Sequence, residues 1–220
     1  PKPQWARQSG GEAGMHPSNI HDNAYAFGTV DFTGDMPVIL GPDGPSLGGF
    51  VCPVTVISAD LWKLGQLKAG DKVRFVPVSQ DQAVALREAL DESIATLTAA
   101  TAHIKPITPT SPVLAALSDD EHETGVVYRA AGDNYVLVEY GPMELDIRLR
   151  FRAHALMLWR RDQDHDAILE LTPGIRSLQV HYDSQKLNQR TLLDLLIGAE
   201  KELEKQPEWD VPARIVHLPL

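Results

Sequence analysis

The first third of the chain has the hydrophobic pattern of a β-rich region. Between Tyr25 and Val78, short apolar runs rich in Val, Ile and Phe are separated by turns of Gly, Pro and Asp. Such runs predict strands, and three are placed at Val38–Leu40, Phe50–Ile57 and Lys72–Val78. Strands at this close spacing are typical of barrels and sandwiches.

The middle of the chain predicts a helix followed by a linker. Residues 80–100 are rich in Ala, Leu, Glu and Arg, contain no Gly or Pro, and carry apolar residues at helical spacing. Residues 105–112 then contain three prolines, and residues 118–124 contain four carboxylates. This composition is that of a linker. We therefore expect three segments, 1–79, 80–124 and 125–220.

The last segment predicts a small α+β domain. The strands are expected at Val126–Ala130, Tyr135–Tyr140, Ala167–Leu171, Ser177–His181 and Ala213–Leu218, with helices ending at Arg161 and Glu204. This order, ββαββαβ, indicates helices packed on one face of a sheet. Residues 143–151 alternate apolar and polar as a strand would. The length of that segment and its Leu, Arg and Ala content favour a helix.

Bulk composition excludes several classes of protein. The net charge of −10 argues against nucleic-acid binding, which needs a cationic face. A single cysteine excludes an internal disulfide and fits a reducing compartment. No apolar run approaches the ~20 residues of a membrane helix, and no signal-peptide pattern opens the chain. We expect a cytoplasmic protein and, since the chain starts at Pro1 and stops inside a predicted strand, a piece of a longer one.

A glycine-rich loop leads directly into an apolar run. Residues 41–52 contain four glycines and two prolines. Glycine in this setting allows the backbone to approach either a ligand or another backbone closely, although a plain tight turn has the same composition. The candidate anion-binding positions are Gly44, Ser46, Gly48 and Gly49.

Polar residues that could do chemistry precede this loop. His16 could shuttle protons near neutral pH, or simply bond to the backbone. Asn19 could orient a small polar substrate or hold an Asx-turn. Asp35 follows Gly34 and is favoured as a turn former. His16, His21 and Asp22 have no further His or Cys at ligand spacing, so no metal site is predicted.

Several longer motifs occur in order along the chain. In the first half they are His16-Pro-Ser-Asn19, His21-Asp-Asn23, Val30-Asp-Phe-Thr-Gly-Asp35, Asp60-Leu-Trp-Lys-Leu-Gly-Gln66 and Lys68-Ala-Gly-Asp71. In the second half they are Glu139-Tyr-Gly-Pro-Met143, Arg150-Phe-Arg-Ala-His-Ala155, Leu171-Thr-Pro-Gly-Ile-Arg-Ser-Leu178 and Val211-Pro-Ala-Arg-Ile-Val-His-Leu-Pro219. Taken together, these motifs resemble the carboxyltransferase region of biotin-dependent urea and guanidine carboxylases. That family, allophanate hydrolase subunits 2 and 1, also includes 5-oxoprolinase subunits and a sporulation-kinase inhibitor.

The resemblance implies a fold and a reaction. It implies that residues 1–79 end a cyclophilin-like β-barrel and that residues 125–220 begin the subunit 1-type domain. Carboxylate would pass from carboxybiotin to a nitrogen of guanidine or urea. The biotin would arrive on a carboxyl carrier domain, and ATP and bicarbonate would be used by a biotin carboxylase domain. The chain has neither a Met-Lys-Met biotin-attachment tripeptide nor an ATP-binding loop, so we expect it to be inactive alone.

Asp31 is the sharpest candidate within the resemblance. In the urea-specific members of the family that the chain resembles, this position looks like Asn. A carboxylate matches the planar, paired donors of guanidinium, whereas it would repel the carbonyl oxygen of neutral urea. Asp31 therefore favours guanidine, although Asp is also a common turn former.

The resulting site prediction is as follows. The catalytic residues are Asp31 and His16, the substrate-binding residues are Asp31, Asn19, Asp22 and Asp35, and the biotin-binding residues are Gly44, Ser46, Gly48 and Gly49. Two other functions remain open, a 5-oxoprolinase subunit and a non-catalytic module of the kinase-inhibitor type.

Overall fold

The computed structural model describes residues 3–9, 13–99, 103–109, 111–118, 124–161, 163, 165–205 and 215–217. Within these ranges the first half has five short strands: β1 (Asn19–Ala24), β2 (Thr29–Thr33), β3 (Met36–Ile39), β4 (Leu47–Phe50) and β5 (Val54–Thr55). They form two antiparallel sheets, β1-β4 and β3-β2-β5. The short helix α1 (Leu61–Leu64) follows. Closure into a cyclophilin-like barrel stays a prediction.

Two of the predicted strands in this half need correction. The run Phe50–Ile57 is divided, because β4 ends at Phe50 and β5 contains only Val54 and Thr55. The run Lys72–Val78 is not a strand in the structure. A strand requires a hydrogen-bonded neighbour along its length, and the backbone contact described here is one bond from Ile107 N–H to the Pro77 carbonyl.

The predicted central helix is present but shorter than expected. Helix α2 runs over Gln80–Thr96. It begins where the Ser79 side chain accepts a hydrogen bond from the Gln82 amide, a standard N-cap. It ends at Leu97, whose φ of 55° is left-handed and incompatible with a further helical turn. The helix prediction is therefore confirmed, with its end moved four residues earlier.

The second half is a five-stranded antiparallel sheet with two helices on one face. The strands are β6 (Val113–Leu117), β7 (Val126–Ala130), β8 (Tyr135–Tyr140), β9 (Ile168–Pro173) and β10 (Ser177–Tyr182), in the order β6-β7-β8-β10-β9. The helices are α3 (Ile147–Arg161) and α4 (Gln189–Leu203). Alternate residues of β7, β8 and β10 pack with both helices in one apolar core, as the α+β prediction expected.

Two details of this half differ from the prediction, and the helix favoured for the alternating segment is confirmed. Strand β6 lies inside the segment predicted as helix and linker, and it pairs with β7 at the sheet edge. The alternating residues 143–151 belong to a helix from Ile147 onward, because its Leu149, Ala153 and Leu156 are buried against the sheet. The strand predicted at Ala213–Leu218 falls mostly outside the described residues, and 215–217 are not in a strand.

The two halves are joined by buried polar contacts. The Asp133 carboxylate, 4% exposed, accepts hydrogen bonds from the Ser58 amide and hydroxyl. Gln80 donates to the Asp133 carbonyl and to the Tyr182 hydroxyl. Gly132, with φ +84°, lies against Thr55, where a Cβ would come within 2.9 Å. These contacts fix the first half over the sheet of the second.

Candidate functional site

Asp31 lies in β2 and is almost fully buried. It pairs with Val38 of β3, and only 5% of its surface is exposed. Its Oδ1 atom has no hydrogen-bond partner within the described structure. Burial raises the pKa of the Asp31 carboxyl, because desolvation penalises the charged form. A turn-capping aspartate would have its oxygen bonded to a nearby backbone amide, so the structure gives this atom no such structural task.

The groups around Asp31 are neutral at physiological pH. Burial raises the pKa of the Tyr25 hydroxyl to about 12, against the opposing hydrogen bond with the Phe50 backbone. Burial likewise raises the pKa of the Cys52 thiol to about 12; an Asn23 side-chain bond opposes this shift and the Asp31 charge adds to it. We call Asp31, Tyr25 and Cys52 the Asp31 cluster; of these three groups, Asp31 is the one able to carry charge near neutral pH.

The glycine loop is built around Tyr25. A Cβ on Gly48 would come within 2.3 Å of the Tyr25 ring, and one on Gly49 within 2.9 Å of the Ile20 carbonyl. Both glycines belong to β4, which pairs with β1. The Gly44 amide donates to the Gly41 carbonyl in a turn, and the Ser46 carbonyl accepts from the Tyr25 amide. Close approach to another part of the chain thus accounts for Gly48 and Gly49, while Gly44 and Ser46 are exposed.

His16 and Asp35 lie in a different cluster from Asp31. The His16 Nδ1 atom accepts from the Ser18 amide, and its Nε2 atom is 3.6 Å from Asp35 Oδ1. That carboxylate also accepts from the Trp5 indole, whose ring meets Phe32 edge-on. Since successive residues of a strand point to opposite faces, the Phe32 side of β2 is not the Asp31 side.

Asn19 and Asp22 also have structural partners. The Asn19 backbone amide donates to the His16 carbonyl, and the Asn19 side-chain Oδ1 atom accepts from the Ser18 hydroxyl. These contacts place Asn19 with His16. The Asp22 Oδ2 atom accepts from the Ile175 amide of the second half at 2.7 Å. The structure thus divides the predicted residues among the Asp31 cluster, the His16 cluster and the contact between the halves.

Both halves of the chain match known protein families. A family model described as carboxyltransferase domain, subdomain A and B, matches residues 6–77, and one described as subdomain C and D matches residues 126–220. Together they cover most of the chain. The chain belongs to the carboxyltransferase domain family.

Individual relatives agree with this assignment. A urea amidolyase of Lachancea kluyveri is 44% identical over the whole chain, which spans 12% of that protein. A putative urea carboxylase of Emericella nidulans is 35% identical, again over the whole chain, which spans 20% of it. The crystal structure of Kluyveromyces lactis urea carboxylase superposes with a TM-score of 0.85 at 44% identity, covering 96% of this chain and 19% of that one. The chain thus spans at most a fifth of the length of these relatives.

The sequence did not predict the buried polar residues of this carboxyltransferase segment that lie where the halves meet. Ser177 and Gln179 of β10 are 3% and 2% exposed. Asp133 in the turn before β8 is equally buried. In the sequence, Ser177 and Gln179 alternate with Leu178 and Val180 like the solvent-facing residues of any half-buried strand. No local signal distinguishes a face covered by water from one covered by another domain.

Other potential sites do not involve the predicted residues. A cleft of about 460 Å³ between α2 and the start of α4 is lined by residues such as Gln80, Glu88 and Asn188. None of the residues predicted for catalysis or for biotin lines it. In the described part of the chain no group of three or more His, Cys, Asp or Glu could hold a metal ion, and no described helix is long and apolar enough to cross a membrane.

Proposed function

We propose that this segment holds the nitrogen acceptor in the carboxyltransferase of a biotin-dependent carboxylase. Carboxylate is transferred from carboxybiotin to a nitrogen of guanidine, with Asp31 as the residue that selects it. Urea is the second candidate, because the relatives are named urea amidolyase and urea carboxylase. The observation that carries the proposal is the buried Asp31 carboxylate with an unpartnered Oδ1.

The physical argument rests on the cost of that carboxylate. An ionised group taken out of water without a partner costs several kcal/mol, and a cation that reaches it offsets the cost. Guanidinium offers two parallel N–H donors that match the two carboxylate oxygens. Urea has no charge to compensate the carboxylate, and its carbonyl oxygen is repelled by it. The buried acid therefore favours the cation.

Asp31 has two tasks in the proposed mechanism. It orients the acceptor so that one nitrogen faces the incoming carboxyl carbon. It also receives the proton that this nitrogen loses, and the pKa of its carboxyl, raised by burial, makes it a more effective general base. Histidine is a residue type that can relay protons. In this structure, however, the His16 Nδ1 atom accepts from the Ser18 amide and its Nε2 atom faces Asp35.

The glycine loop is the proposed approach for biotin, which would arrive on a carrier domain after another domain has used ATP and bicarbonate. Biotin supplies the activated carboxylate when bound. The residues present fit it in part. Gly44 and Ser46 are exposed. The Ser46 hydroxyl is a group that can donate a hydrogen bond to the oxyanion that develops on biotin. Gly48 and Gly49 are assigned to the same role through their backbone, although Tyr25 and the Ile20 carbonyl occupy the space beside them.

The test is the substitution Asp31→Asn in the intact enzyme. An amide removes the counter-charge but keeps the shape, so kcat/KM for guanidine should fall on the order of 100-fold, the value of a lost charge-assisted contact. kcat/KM for urea should hold or rise. Both are measured by acceptor-dependent ATP hydrolysis.

The matched control is Asp43→Asn, an exposed aspartate of the glycine loop. This variant removes one negative charge from the same region and should leave the preference between the two acceptors unchanged. An unaltered guanidine-to-urea ratio in Asp31→Asn would remove the assignment of substrate.

A further inference from the structure

The face of the second-half sheet that looks toward the first half contains unpaired polar atoms. In β10, Leu178, Val180 and Tyr182 belong to the helix-covered core, so Ser177, Gln179 and His181 lie on the opposite face. The Ser177 Oγ and Gln179 Oε1 atoms are buried and have no hydrogen-bond partner in the described structure. Buried polar atoms are nearly always bonded, and exceptions require an explanation.

The first half covers this face and is attached to it at both ends of β10. At the Ser177 end, Asp22 of β1 accepts from the Ile175 amide. At the other end, His181 stacks on Tyr135 with ring centroids 4.2 Å apart, and the Tyr135 hydroxyl bonds the Phe27 backbone. Gln179 lies midway between these attachments, opposite Leu137 and Thr172, and is only 2% exposed.

The same contact region is linked to the Asp31 cluster. The charges of both Asp31 and Asp22 act on the Tyr25 hydroxyl. The Asp22 Oδ2 and Ser177 Oγ atoms both crowd Gly174, where an added Cβ would come within 2.2 and 2.5 Å of them. Asp22 therefore lies near both Tyr25 of the Asp31 cluster and the Ser177 end of β10. Two of the three unpartnered atoms, Asp31 Oδ1 and Gln179 Oε1, are acceptors only.

We propose that Gln179 and Ser177 form the second wall of the acceptor site, so that the acceptor is bound between the two halves. Unsatisfied acceptors are complementary to a small planar molecule that carries several N–H donors. The Gln179 carbonyl would accept from an amino group of the acceptor, and the Ser177 hydroxyl would bond beside it. This inference rests on the proposed function, but it adds binding residues from the second half.

The test is Gln179→Met in the intact enzyme, with the matched control Gln82→Met. Methionine keeps the volume of glutamine and removes its hydrogen bonding. Loss of one acceptor bond should raise KM roughly five- to tenfold for guanidine and urea alike, and should shrink the rise in Tm that acceptor binding produces. Without acceptor, Tm should hold or rise, because a buried amide oxygen without a hydrogen-bond partner has been removed. Gln82 also has a buried, unpaired Oε1, but it lies on α2, so its variant should keep the KM of the parent enzyme.

An acceptor KM within twofold of the parent enzyme would overturn the inference. If Gln179→Met does not fold, Ser177→Ala is judged by the same criterion. The result is separable from that of Asp31→Asn. A raised KM in Gln179→Met with an unchanged guanidine-to-urea ratio in Asp31→Asn keeps the site between the halves and removes only the choice of guanidine. The reverse pair of results keeps the choice of guanidine and removes Gln179 from the site.

Discussion

Each half of the molecule contains a buried carboxylate, and the two are treated differently. Glu200 of α4 is fully buried in the second half, where it accepts from the Tyr140 hydroxyl and from Arg152 Nη2. Asp31 in the first half is 5% exposed and has an oxygen without a partner. Burial raises the pKa of both carboxyls. The fold compensates this desolvation at Glu200 with two hydrogen bonds, whereas Asp31 Oδ1 has no hydrogen-bond partner in the described structure.

The surroundings of the two acids differ in the same sense. The second half has one continuous apolar core between sheet and helices. The buried hydrophobic residues of the first half before α2 are few and mostly small: Ile20, Ala24, Tyr25, Ala26, Val30 and Ala59. A well-packed region can hold its polar groups in fixed pairs. A sparsely packed region that carries an unpaired acid is the more suitable place for chemistry.

Removing the compensated acid should have the largest effect. Glu200→Ala leaves the Arg152 cation, whose side chain is 13% exposed, without its closest partner and leaves the Tyr140 hydroxyl unbonded. Breaking one side of a buried ion pair typically costs about 3–5 kcal/mol. We expect a loss of that size in the opening free energy of β8 and α4, measured by hydrogen exchange in the intact protein.

A surface ion pair provides the control for Glu200. Arg87 and Asp91 pair one helical turn apart on α2, with side chains 40% and 39% exposed. Arg87→Ala should cost less than about 1 kcal/mol. If Glu200→Ala costs no more than Arg87→Ala, the contrast between a compensated and an uncompensated acid is wrong.

The sequence predicted the second half better than the first, for a physical reason. Strands β7, β8 and β10 and helix α4 each carry a local period that survives folding, because each buries its apolar residues in the core of the second half. Helix α3 was predicted from its length and composition instead, since its first residues alternate like those of a strand. Strand β6 was missed because Pro112 and a run of carboxylates flank it. The prediction of a strand at Lys72–Val78 was wrong, because a β-type composition forms a strand only where a partner strand lies alongside it.

The site was predictable only as far as side-chain type allowed. Asp31 was singled out through the family resemblance, because a carboxylate at a position that is Asn in urea-specific members has a definite chemical meaning; its role in the site stays a prediction. The sequence could not show that His16 is held by Ser18, that Asp22 crosses to Ile175, or that Gln179 is covered. Each of these depends on how one half is seated on the other, which no local pattern encodes.

The glycine loop offers a second, smaller test of how the first half is packed. Gly48→Ala forces a methyl group to within 2.3 Å of the stiff Tyr25 ring. Overpacking of this kind costs about 1–3 kcal/mol, and it should lower Tm in a thermal unfolding experiment. Gly198→Ala is the matched control, since Gly198 lies within α4 and nothing is within 4 Å of its Cβ position. That variant should gain up to about 1 kcal/mol from helix propensity. Equal effects of the two variants would mean that Tyr25 does not constrain the loop.

The pH dependence of acceptor binding tests whether Asp31, unlike Glu200, is available to a ligand. We expect the acceptor affinity to change by about tenfold per pH unit, or ~1.4 kcal/mol. In the acceptor-free protein Asp31 has a raised pKa, so the native state binds its proton more tightly than the unfolded state. Its contribution to stability is therefore greatest at low pH and decreases as pH rises from the unfolded to the folded pKa.

Guanidinium binds the ionised form of Asp31, so its affinity should rise with pH below the raised pKa and level off above it. Calorimetric titration of guanidinium at a series of pH values measures this slope. Asp31→Asn should flatten it, and the affinity of urea, whose carbonyl oxygen the carboxylate repels, should not rise with pH in the parent protein. A guanidinium affinity that is independent of pH across this range would mean that the Asp31 carboxylate is not its counter-charge.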